Sequence, residues 1–98
     1  MPSFYTRLGP AKVAVADVCD YYNEGQIITR INVPESHRGL GHGRDLLRKV
    51  IDWADANDTA LFLEINPSGP LDYEALASWY ERHGFREIAI GMWRRKPQ

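Results

Sequence analysis

The chain has little of what would tie it to a metal, a membrane, a nucleic acid or an oxidising compartment. Its single cysteine, Cys19, cannot close an internal disulfide and has no CxxC partner for a metal site. Its histidines, His37, His42 and His83, fall in no HExxH or HxH spacing, so no metal is expected. A net charge of −1 provides no basic field, which removes the electrostatic support that nucleic-acid binding needs. No run is long and apolar enough to span a bilayer, and Met1-Pro2-Ser3-Phe4-Tyr5-Thr6-Arg7 has no apolar signal core. The expected location is therefore the cytoplasm, with no membrane and no nucleic-acid partner. There is no repeat, low-complexity tract or linker, and 98 residues fit one domain, 1–98. The cluster Arg94-Arg95-Lys96 reads as a short solvated tail.

What is present is a sequence of short periodic segments. Residues 3–8 alternate weakly, as an edge strand would, until Gly9-Pro10 breaks them. Residues 12–21 set Val13, Val15, Asp17 and Cys19 against Ala14, Ala16, Val18 and Asp20, a strand pattern. After the turn Asn23-Glu24-Gly25, residues 26–33 form a second strand, with Ile27, Ile31 and Val33 supplying most of its apolar character. The two make an antiparallel hairpin. Pro34 ends it. From Gly43 to about Asn57 the period becomes helical, with Leu46, Leu47, Val50, Ile51 and Ala54 as the buried stripe. Asp45 and Lys49, and Arg48 and Asp52, sit i,i+4 on its outer side.

Residues 59–66 form a strand that is apolar on both faces, which marks a covered, central position. Strand, helix and strand in this order predict a right-handed βαβ unit with two parallel strands. Asn66-Pro67-Ser68-Gly69-Pro70 is a loop. Residues 72–83 are a second helix, with Leu76, Trp79, Tyr80 and His83 on one face and Gly84 as its C′ residue. Residues 85–90 and 92–95 are two last short strands. Ligands gather at the carboxyl ends of parallel strands, so Val33 and Glu64 should border one crevice.

The loop between the first parallel strand and its helix is Val33-Pro34-Glu35-Ser36-His37-Arg38-Gly39-Leu40-Gly41-His42-Gly43-Arg44. Alternating glycines before a helix leave bare N–H groups at its positive end, a seat for an anion. The run ends Gly43-Arg44-Asp45, not Gly-Lys-Ser/Thr, so it is no Walker A loop. Its GxGxG spacing also departs from the dinucleotide GxGxxG.

Arg38-Gly39-Leu40-Gly41-His42-Gly43 instead resembles motif A of the GNAT superfamily of acyl-CoA-dependent N-acetyltransferases, whose signature is Gln/Arg-x-x-Gly-x-Gly/Ala. Trp79-Tyr80-Glu81-Arg82-His83-Gly84-Phe85 resembles motif B, with its Tyr-Glu-x-x-Gly-Phe ending. The resemblance runs from residue 26 to about 95. It implies an α/β (α+β) fold: a mixed, mostly antiparallel sheet with a central parallel βαβ pair and two main helices. It also implies N-acetyl transfer from acetyl-CoA to a primary amine by direct attack, with no metal.

By the same resemblance, Arg38, Gly39, Gly41, His42, Gly43 and Arg44 would bind the coenzyme A pyrophosphate. Ile31, Asn32 and Val33 would pair with the pantetheine arm like an added strand. A backbone N–H near Val33 would face the thioester oxygen as charge develops, a contact worth ~3 kcal/mol in a transition state. Tyr80 matches the tyrosine that protonates the leaving thiolate. Glu64 matches a position where some members carry a general base, and a carboxylate in a largely apolar crevice would be well poised for that task. Glu35 and His37 are weaker alternatives. His42 belongs beside phosphate.

The sequence departs from the family in two places. Members commonly carry a strand and two helices before the hairpin, where this chain has room for one edge strand. Many also carry an Asn early in the second helix, where this chain reads Leu71-Asp72-Tyr73-Glu74. The acceptor, a small molecule or a protein amine, is thus left open. Its site is expected to be open and shallow, or completed by a second subunit in a homodimer. The alternative function is a non-catalytic module of the same fold that binds coenzyme A or a protein.

Overall fold

The computed structural model describes residues 3–9, 12–38, 40–66 and 71–98. Gly39, Pro10 of the expected Gly9-Pro10 break, and residues 67–70 of the expected loop lie outside them. The elements run β1 (Ser3–Gly9), β2 (Lys12–Tyr21), β3 (Gly25–Asn32), a single 3-10 turn (Glu35–His37), α1 (His42–Ala56), β4 (Leu61–Glu64), α2 (Tyr73–Arg82), β5 (Arg86–Ala89) and β6 (Met92–Arg95). One six-stranded sheet has the order β1-β2-β3-β4-β6-β5. Among the described residues only β3 and β4 pair in parallel. This is the mixed, mostly antiparallel sheet with a central parallel pair and two helices that the sequence predicts.

Helix α1 forms where the stripe predicts. Leu46, Leu47, Val50, Ile51 and Ala54 are all buried. Burying each of the larger ones stabilises the fold by about 1.5–3 kcal/mol. Asp45, Arg48, Lys49 and Asp52 lie on its exposed side. Lys49 reaches across to β1, where its Nζ donates to the Tyr5 carbonyl and the Thr6 hydroxyl, both at 3.1 Å. Helix α2 is capped by Asp72, whose carboxylate accepts from the Ala75 N–H at 2.9 Å. It ends at Gly84, which takes the expected left-handed conformation with φ 96°.

Strand register assigns the two sheet faces. Ala14, Ala16, Val18, Ile28, Leu61, Leu63 and Trp93 share one face and, with α1, form the core. Leu76, Ala77 and Tyr80 of α2 pack against that same core. Val15, Cys19, Tyr21, Ile27 and Phe62 share the opposite face. Both helices therefore cover one face, and among the described residues no helix covers the other. Phe62 is buried there by its neighbours in the sheet, with the Tyr21 ring 4.6 Å away.

Two features differ from the sequence reading. The buried isoleucine of β3 is Ile28, which that reading passed over. A bulge explains this: Asp17 pairs with Arg30 but Val18 with Ile28, so Thr29 is an extra residue. Ile28 and Ile31 thereby face the same side, which strict alternation forbids. The second correction concerns Arg94-Arg95-Lys96, which is no solvated tail. Arg95 is 6% exposed. Its Nη1 lies 2.7 Å from Asp55 Oδ1, and its Nε donates to the His83 carbonyl at 2.8 Å. A buried guanidinium persists only when paired this fully.

Candidate active site

The parallel pair is short. Gln26, Ile27 and Ile28 pair with Leu61, Phe62 and Leu63, and the pairing goes no further. Residues 29–32 of β3 remain bonded to β2 alone. The bulge at Thr29 stands at the point of divergence and bends β3 away from β4. The result is a gap between two parallel strands, with one edge of β3 exposed for hydrogen bonding.

A cavity of about 790 Å³ fills this gap. Tyr80, Leu76 and Leu71 border it from the helix side, and Arg30, Asn32 and Glu64 from the strands. By register, Arg30, Asn32 and Glu64 project to the bare face while Tyr80 lies on the helix side, so residues from both sides of the sheet border the cavity. A second cavity of about 550 Å³ adjoins it, and the two share Val33, Arg38, Leu71 and Leu76. Its walls include His37, Gly41, His42 and Gly43 from the glycine loop and Trp79 and Arg82 from α2. The two cavities form one trough from the start of α1 to the bare face.

The glycine loop meets the trough as an uncapped helix start. Gly41 is the N-cap of α1, with φ 87° and no side-chain cap, so the first N–H groups are free of side-chain acceptors. A Cβ at Gly41 would lie 3.0 Å from Arg44 Nη2. Gly43 has ordinary helical backbone, and a Cβ there would make plain van der Waals contact with Val33 Cγ2 at 3.9 Å. Gly41 thus supplies conformation, whereas Gly43 supplies room. His37 and His42 stand with ring centroids 6.3 Å apart. Arg38 Nε donates to the Val33 carbonyl at 3.1 Å, leaving its outer nitrogens for an anion.

Most of the predicted residues converge. Ile31, Asn32, Val33, Arg38, Glu64 and Tyr80 line the larger cavity. Val33, Arg38, Gly41, His42 and Gly43 line the smaller one. Arg44 lines neither; it is exposed beside Asp45 at 3.9 Å. Gly39 is outside the described residues. The sequence reading missed Arg82 and Trp79 on the helix side and Arg30 at the mouth. Trp79 and Arg82 fall inside the motif B segment without a role of their own there, and no motif covers Arg30.

Tyr80 and Glu64 have contrasting surroundings. The Tyr80 ring packs against Trp79 and Phe85, with centroids at 4.9 and 5.6 Å. Burial pushes its phenol up to about 12, and none of the described residues hydrogen-bonds the hydroxyl. Glu64 is exposed at the mouth, and its Oε1 accepts from Asn66 Nδ2 at 3.2 Å. The enclosed apolar setting expected for Glu64 is absent, because the face onto which it projects is uncovered. Among the described residues, no group of three or more His, Cys, Asp or Glu is arranged to hold a metal. Among the described residues no helix is long and apolar enough to cross a membrane.

A splayed parallel pair inside a mixed sheet and a glycine-rich helix start define an α+β fold with a cavity between the parallel strands. The family described as acetyltransferase (GNAT) domain matches residues 3–87, and the chain belongs to it. Among solved structures, the ribosomal-protein-S18-alanine N-acetyltransferase of Escherichia coli superposes with a TM-score of 0.77 at 22% identity, over 97% of this chain and 68% of that one. The anti-CRISPR protein AcrVA5 gives 0.66 at 17% identity, over 96% and 98%. An acetyltransferase of the GNAT family from Staphylococcus aureus Mu50 gives 0.64 at 21%, over 87% and 60%. At these identities each likeness is one of fold. No curated protein sequence matches the chain significantly.

Proposed function

We propose that the protein is an N-acetyltransferase that moves an acetyl group from acetyl-CoA to a primary amine by direct attack. The observation that carries this reading is the cavity between β3 and β4, with Tyr80 on its helix side and Glu64 on its bare side. Donor and acceptor can then approach from opposite faces and meet between β3 and β4. The pyrophosphate would rest on the N–H groups at the start of α1, aided by Arg38 and His42. The pantetheine arm would lie along Ile31, Asn32 and Val33, whose edge lacks a partner in β4.

The chemistry follows from the two sides. The amine nitrogen attacks the thioester carbonyl carbon, the C–S bond breaks, and the sulfur leaves with the electron pair. The amine's surplus proton passes to Glu64, directly or through water, at the exposed mouth. Tyr80 serves the sulfur as general acid. A full proton transfer from a phenol at about 12 to a thiolate whose thiol titrates near ~8.5 is uphill by about 5 kcal/mol. The larger part of its contribution is therefore a hydrogen bond to the departing sulfur. Shielding from water strengthens that bond.

The non-catalytic reading draws support from one observation, the exposure of Glu64. Two measurements separate the readings. Acetyl-CoA at about a hundred times its Kd should stabilise the fold by about 2.7 kcal/mol and raise Tm by several degrees. Release of free coenzyme A thiol in the presence of primary amines, lost in Tyr80→Phe, supports the enzyme. Stabilisation without release over a broad panel of amines and peptides supports the module.

A further inference from the structure

Resting on the acetyltransferase reading, we infer that the amine is carried by an extended polypeptide segment with acidic neighbours, seated on the bare sheet face. Both helices lie on the donor side, so among the described residues the acceptor mouth is walled by the sheet alone. Small-molecule sites bury about 70–90% of their ligand. Beyond the gap itself the open sheet face touches a ligand on one side only, so a free small amine gains less there than a longer ligand does. A polypeptide brings further contacts that lie on the sheet beside the reacting amine.

The bare face offers such contacts around the mouth. Across β1, β2 and β3, Tyr5 pairs with Val15 and Val15 with Asn32, making a row that leads from the sheet edge to the gap. Tyr5 is 61% exposed and Val13, in the next row, 42%. The charges are also ordered. Glu64 at the mouth attracts an ammonium. Asp17 and Arg30 neutralise each other at 2.8 Å. Arg7, opposite Val13, and Arg94, opposite Phe62, lie on the same face with no ion-pair partner among the described residues. They leave positive charge on either side of the negative mouth, the complement of an amine with carboxylates near it in sequence.

The experiment uses the whole protein with acetyl-CoA and four acceptors. These are a capped nonapeptide with one central lysine among Asp and Glu, the same peptide with Ser or with Lys-free basic Arg neighbours, and spermidine. The expected kcat/KM is at least about tenfold higher for the acidic than for the Ser peptide, and at least about a hundredfold higher than for the Arg peptide or spermidine. Arg7→Glu should reduce the acidic-over-Arg preference about tenfold. Equal or better use of spermidine, or a preference that ignores the flanking charge, overturns the inference while the acetyltransferase reading stands. Neither stabilisation by acetyl-CoA nor thiol release with any acceptor overturns both.

Discussion

The Arg38 guanidinium and the Val33 carbonyl are joined by a 3.1 Å hydrogen bond from Nε. This contact ties the end of the first parallel strand to the glycine loop, and both residues border both halves of the trough. Arg38 can hold Val33 and an anion at once because its donors form a fork. Arg38→Ala should weaken acetyl-CoA binding about 10–100-fold by calorimetry, the equivalent of a lost charge-assisted bond. Arg38→Lys should recover little, since an ammonium cannot serve both partners in the same geometry. Full recovery by lysine would mean that charge alone matters there.

The glycines predict a second contrast. Gly41→Glu places bulk and negative charge at the helix start, in a backbone conformation with φ 87°. It should abolish stabilisation by acetyl-CoA. Gly43→Ala adds a Cβ at ordinary contact distance from Val33. It should fold normally and retain a measurable acetyl-CoA shift in Tm. Equal behaviour of the two variants would contradict the division between conformation at Gly41 and room at Gly43.

Tyr80→Phe removes the hydroxyl and leaves the packing against Trp79 and Phe85 in place. It should lower kcat by about 10–100-fold, the range for a lost hydrogen bond to a charged group, with acetyl-CoA affinity changed less than about twofold. Equal losses in both would assign Tyr80 to packing.

Stability should respond to pH at both extremes. The Arg95 side chain, hydrogen-bonded to Asp55, holds its carboxyl below the usual 3.8. A depressed folded value means that this stabilisation is present above about 3.8 and is lost as pH falls below it. Burial raises Tyr80 from 10 to about 12. This group therefore weakens the fold as pH rises from about 10 to 12 and leaves it unaffected below. Asp55→Asn should cost about 2–4 kcal/mol at pH 7 in urea unfolding. That is less than the ~3–5 kcal/mol of a fully buried pair, because Asp55 keeps 25% of its side-chain exposure. The variant should also flatten the acid limb of the stability curve.

The parts of this fold that were legible in the sequence are those governed by local period. The α1 stripe, the β2 alternation and the Gly84 stop each depend on neighbours a few residues away. The site residues followed from the resemblance to the family, and most of those described line the adjoining cavities, Arg44 excepted. What was not legible depends on distant partners. Arg95 is drawn inward by Asp55, which lies forty positions earlier in the chain. Ile28 is buried because β2 and β3 slip past one another at Thr29. The exposure of Glu64 follows from which sheet face the helices cover, and no residue near Glu64 encodes that.

The position of coenzyme A decides the roles of Tyr80 and Glu64, so a crystal structure with the coenzyme bound is the most direct test. The predicted result has the pyrophosphate on the backbone N–H groups beside Gly41 and the arm along Ile31, Asn32 and Val33. It also has the thiol within hydrogen-bonding reach of the Tyr80 hydroxyl, with Glu64 on the far side of the gap. A coenzyme bound outside the β3–β4 gap, or with its thiol remote from Tyr80, would contradict it.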